Sequence, residues 1–174
     1  MNSSIIVISA VRFVILLLFQ VFILKSISLG WQGNIYMHII VFPLFIFLLP
    51  IRTPRAVVML LAFALGLAVD VFYDSPGLHA GDSVFSAFVR PIVIKLLEPR
   101  EGYNVNHSPT KARLGFSWFW RYAAIMLLLH LGFYFSMLEF SPVFIADILL
   151  KTTFSFIASY AFMLMIVFVF NPLD

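Results

Sequence analysis

Six apolar segments follow one another along the chain, at residues 5–24, 35–50, 56–73, 83–97, 118–138 and 142–170, and only one connection between them is long. A hydrocarbon core of roughly 30 Å is crossed by about 20 apolar residues in a helix. The pattern therefore predicts an all-α integral membrane protein, a bundle of about six transmembrane helices. Composition agrees, because 63% hydrophobic residues, 21 Phe and only 11% charged residues exceed what a soluble core of 174 residues can hide. Residues 1–174 read as one transmembrane helical domain, with 98–116 as its polar loop. The first segment lacks a basic n-region and outruns a signal-peptide apolar stretch, so it reads as retained. The absence of Cys removes disulfide frameworks and thiolate metal sites.

The basic residues orient such a bundle. Arg52, Arg55, Lys95, Arg100, Lys111, Arg113 and Arg121 fall beside two connections that an alternating topology puts on one side, whereas Lys25 alone falls on the other. This bias places both termini and the 98–116 loop in the cytoplasm. Arg100, Lys111 and Arg113 of that loop are positioned to meet a partner or anionic lipid. The stretch GLAVDVFYDSPGLHAGD, residues 66–82, then lies at the outer face. Within it, Asp74-Ser75-Pro76-Gly77 has Pro where a reverse turn fixes φ and Gly where a type II turn requires a positive φ, which predicts an antiparallel helical hairpin. Asp82 or Ser83 is the expected N-cap of the helix that follows.

Asp70 lies about one turn inside the third segment, where a charge is expensive unless it faces the bundle and finds a partner. Arg90, on the adjacent segment, is the expected partner. A structural pair is preferred to an ion or substrate track, because nothing else in the sequence completes a relay. Pro91 removes the amide that Ala87 would bond, so a kink is expected beside Arg90. Asp147 and Lys151, spaced i, i+4 with the acid first, suit a same-face helix pair. Arg12 is expected to snorkel to the interface. His38 and His130, each alone on an apolar segment, read as helix–helix hydrogen bonders rather than metal ligands.

Signatures of catalysis are absent from the sequence: no H-E-x-x-H, G-x-S-x-G or Gly-rich phosphate loop occurs. Asp70 and Asp74 stand on one segment, unlike the aspartates of intramembrane proteases, which converge from two helices to share a proton. No catalytic residue, metal or cofactor is expected. The combination of P-I-R-T-P-R at 50–55, G-L-A-V-D at 66–70 and D-S-P-G-L-H-A at 74–80 resembles the rod shape-determining protein MreD family. The resemblance draws attention to His79 within the turn, and the Arg-Pro-containing fourth segment departs from it. It implies a non-enzymatic scaffold of the bacterial inner membrane, supporting cell shape and lateral peptidoglycan synthesis. Its implied partners are membrane lipid, MreC and, through the rod complex, MreB, RodA and a class B penicillin-binding transpeptidase, with no nucleic acid. The rival expectation is a substrate-binding subunit of a vitamin-type transporter. Such subunits dock through an A-x-x-x-A pattern, and here Ala10 is followed four residues later by Val14.

Overall fold

The computed structural model describes residues 3–31, 34–100, 102–104 and 108–170. The chain ends at 1–2 and 171–174, and residues 101 and 105–107 of the expected cytoplasmic loop, lie outside the described residues. Helix α1 (Ser3–Phe22) leads through a short 3₁₀ turn to an antiparallel ribbon of β1 (Ser28–Trp31) and β2 (Asn34–His38), with a bulge between Leu29 and Gly30. A one-turn helix, α2 (Leu44–Phe47), precedes the long helices α3 (Arg55–Tyr73) and α4 (Leu78–Leu96). The short α5 (Lys111–Leu114) then leads into α6 (Phe116–Glu139), and α7 (Ile145–Phe170) follows. Helices α1, α3, α6 and α7 are long and apolar enough to cross a membrane.

The second expected span is not a helix. Residues 35–50 divide into β2, an irregular stretch and α2, and Pro43 explains the division. Its ring would clash with the carbonyl four residues earlier, and it brings no amide, so it disfavours a helix running through it and here opens the one-turn α2 as its N-cap instead. Residues 39–49 are nevertheless the most deeply buried part of the chain, with Val41, Phe42, Ile46 and Phe47 fully enclosed. Irregular backbone at membrane depth is tolerated only where protein supplies its hydrogen bonds.

Here the surrounding helices supply them. From α1, Gln20 Oε1 accepts from the amides of Val41 (2.8 Å) and Phe42 (3.3 Å), while its Nε2 donates to Ile39 O (2.9 Å). From α7, Ser155 Oγ accepts from His38 N (2.9 Å), and Ser159 Oγ accepts from Ile40 N (2.8 Å) and donates to His38 O (3.2 Å). At the far end, Tyr122 of α6 donates to Phe47 O (3.1 Å) and Arg90 of α4 donates to Leu49 O. Lys25 donates to Phe72 O, which puts the ends of α1 and α3 together. The irregular passage thus starts where α1 and α3 finish and ends where α3 begins.

Helix α4 starts at Leu78, five residues before the expected Ser83, and so reaches 19 residues. At 1.5 Å per residue that is about 28 Å, long enough to match α3. Its buried face carries His79, Asp82, Ser83, Ser86 and Arg90, at helical spacing, while Phe88, Ile92 and Leu96 are exposed. A polar interior with an apolar exterior is the arrangement that lipid, rather than water, selects. The helix runs on through Pro91.

Candidate functional site

Most of the distinctive residues of GLAVDVFYDSPGLHAGD meet at the junction of α3 and α4. Asp74 ends α3 in the left-handed region (φ 52°) and its amide bonds Asp70 O. Ser75 to Leu78 then make the reverse turn, with Leu78 N donating to Ser75 O (3.2 Å) and Gly77 at φ 83°, ψ −5°. Those angles are those of the third residue of a type II turn, which favours glycine. Asp74, Pro76 and Gly77 are exposed at the tip.

Asp70, only 3% exposed, is met not by Arg90 but by this turn. Its Oδ1 accepts from Ser75 Oγ (3.0 Å) and His79 N (2.9 Å), and lies 2.9 Å from His79 Nδ1. Its Oδ2 accepts from Gly77 N (3.1 Å) and Ala80 N (3.0 Å). The carboxylate therefore caps α4 from the neighbouring helix, satisfying amides that a helix start leaves unpaired and placing negative charge at the positive end of its dipole. An ionised carboxylate only accepts, so the His79 proton facing it sits on Nδ1. His79 is held further by the rings of Tyr73 and Tyr134, with centroids 5.0 and 5.1 Å away.

Gly66 allows the close approach. A Cβ there would collide with His79 O and stand 2.6 Å from the Cα of Ala80, so no larger residue fits without moving the hairpin. The residues 66, 70, 75, 77, 79 and 80 form one clasp.

One turn further along α4, Asp82 is fully buried and does not cap the helix. Its Oδ2 lies 2.8 Å from His130 Nε2 on α6, and Ser86 Oγ lies 2.8 Å from His130 Nδ1. The Nε2 contact has the distance of an ion pair but not the alignment of a hydrogen bond, so it is the closeness of the two groups that links α4 to α6. His130 thus bridges helices.

Arg90 sits eleven residues beyond His79, about 16 Å along the helix axis. It serves the irregular passage at Leu49 O and lies beside the Tyr122 hydroxyl. Lys151 does not pair with Asp147 on its own helix but with Glu139, the last residue of α6. The acid across the helical hairpin is in reach of the lysine's flexible stem and fixes two elements rather than one. In the basic loop, Arg100 and Arg113 are exposed and the Lys111 ammonium lies 4.3 Å from the Phe168 ring centroid.

Gln20, Ser155 and Ser159 are the site residues that sequence reasoning passed over. Ser155 and Ser159 are spaced i, i+4 on one face of α7, and that polar pair on an apolar helix was the available signal. Among the described residues, no three of His, Asp or Glu converge as a metal site. The clasp spends its polar groups on one another and on backbone, and the bridge brings Asp82 of α4 against His130 of α6, so the arrangement is suited to holding helices together. Compared with known proteins, the chain matches no family model, no curated protein and no solved structure.

Proposed function

We propose that the chain is a non-enzymatic, multi-pass membrane scaffold of the MreD type, acting in the bacterial cell-elongation complex of the inner membrane. The observation that carries this reading is the clasp. The residues on which the resemblance to that family rests, G-L-A-V-D and D-S-P-G-L-H-A, converge on one junction. Both oxygens of Asp70 are consumed there in bonds to the turn and to the start of α4, which is the work of an architectural motif. The cavity against His79, His38 and Tyr134 holds about 20 Å³, room for a single water, so the clasp itself is closed to a larger ligand.

In this reading α4 crosses the bilayer with α1, α3, α6 and α7, and residues 38–50 make a sixth, irregular crossing. The parity is that of six spans, with the 50–55 and 95–121 connections and both termini in the cytoplasm. The outer end, with the clasp and the α6–α7 connection, is offered to MreC and the synthase RodA with its class B penicillin-binding transpeptidase. The basic inner loop is offered to MreB or to lipid.

A pulldown from native membranes tests this. Recovery of MreC and other elongation proteins supports the scaffold, and recovery of ATPase subunits instead would sink it. Gly66→Ala, shown by size-exclusion chromatography to remain folded, is expected to lose MreC, whereas Arg100→Gln with Lys111→Gln and Arg113→Gln retains it. The reverse pattern counts against the assignment.

A further inference from the structure

Arg90 carries a permanent charge at 3% exposure, yet its contacts are the carbonyl of Leu49 and the hydroxyl of Tyr122. Its Nε has no acceptor among the described residues. A buried charge without a counter-charge is expensive, more so within a membrane protein than at a wet surface. Arg90 is one of the residues lining an open cavity of about 320 Å³ at the end of the α3–α4 hairpin opposite the clasp.

The rest of the lining has the same bias. Arg55 from the first turn of α3 and Lys95 from the last turn of α4 are exposed at the rim, with Glu98 as the single carboxylate among the described residues of the lining. Thr53, almost fully buried in the same lining, has an Oγ1 with no hydrogen-bond partner among the described residues. Among the described residues, three cations thus line the cavity with one acid, and two donor groups without a hydrogen-bond partner belong to buried side chains of the lining. Tyr103 also lines the cavity, its hydroxyl donating to Ile94 O (2.8 Å).

We propose that this cavity binds a phosphate monoanion or diester, as carried by an anionic phospholipid headgroup or by free phosphate, with Arg90 and Thr53 as its floor and Arg55 and Lys95 as its rim. A planar guanidinium is matched to phosphate oxygens, and Nε lies on the edge that a bidentate contact uses. Basic pockets between helices at the membrane surface are where lipid headgroups are recognised. The inference does not rest on the scaffold reading, nor on which side of the membrane the cavity faces.

The test uses the purified full chain in a neutral detergent. Dihexanoyl-phosphatidylglycerol, dihexanoyl-phosphatidylcholine and inorganic phosphate are titrated separately, with binding read by native mass spectrometry and by the shift of thermal unfolding, since a ligand selective for the folded state stabilises it. Phosphatidylglycerol is expected to bind and stabilise while phosphatidylcholine does not. Arg55→Gln with Lys95→Gln, both exposed and so tolerated by the fold, weakens that binding at least tenfold. The control pair Arg100→Gln with Arg121→Gln, which removes equal charge elsewhere, leaves it unchanged. Binding of phosphate without the lipid supports the site and assigns it to the free ion. Equal binding of phosphatidylcholine, equal loss in both double variants, or no binding of any probe overturns the proposal.

Discussion

The buried acid at position 70 shows how one residue can be costly alone and stabilising in place. Its five polar contacts come from a turn and a helix start, groups that would otherwise be unpaired in a region poor in water. Hydrogen bonds to a charged group contribute about 1.5–3 kcal/mol each, and an orphaned buried donor costs about 1–3 kcal/mol. Asp70→Asn turns one accepting oxygen into a donor that faces the amides of α4. It is expected to destabilise the protein by about 2–4 kcal/mol, read as a lowered thermal midpoint in detergent. Exchanging the charges, Asp70→Arg with Arg90→Asp, is expected to give no rescue, because the two side chains serve opposite ends of the hairpin. Recovery of stability by that swap would show that the pair exists after all.

At the scale of elements, the irregular passage from His38 to Leu49 is the part of the molecule with the least internal support. Its backbone depends on side chains from α1, α4, α6 and α7, with Gln20 alone accepting two amides and donating to one carbonyl. Gln20→Leu preserves size and apolar character but leaves Val41 N, Phe42 N and Ile39 O unmet. A loss of about 3 kcal/mol or more follows from three orphaned backbone groups, whereas the exposed Leu18→Ala on the same helix costs little. Ser159→Ala is expected to act in the same direction and to be non-additive with Gln20→Leu, because both hold the 38–42 backbone. Unfolding midpoints of the two single variants and the double variant check this. Additive losses would show that α1 and α7 support the passage independently.

For the whole molecule, the testable quantity is which end lies inside. A chain without Cys is a ready background for single-cysteine labelling. With the orientation proposed, Ser141→Cys, in the α6–α7 connection, reacts with an impermeant maleimide in intact cells. Arg100→Cys reacts only after permeabilisation. The opposite pattern would invert the topology and with it the proposed partner faces.

Four helices long and apolar enough to cross a membrane were legible among the six apolar runs, because bilayer thickness converts residue count into span length. The turn was legible too, since Pro76 and Gly77 act on the backbone locally. Asp70's need of a partner could be read from the sequence, and its partner could not. A charge about three turns from one candidate and next to a turn gives no sequence signal for which will reach it. Pro43 stood in the sequence as a warning against a helix over 35–50, but hydropathy reports burial in any apolar surroundings, lipid or protein. Only the tertiary structure decided that the segment is enclosed by protein, because the bonds that make an irregular passage possible come from residues 19 to 121 positions away. The polar face of α4 and the exchange of Asp147 for Glu139 at Lys151 were decided in the same way, by which helix lies alongside.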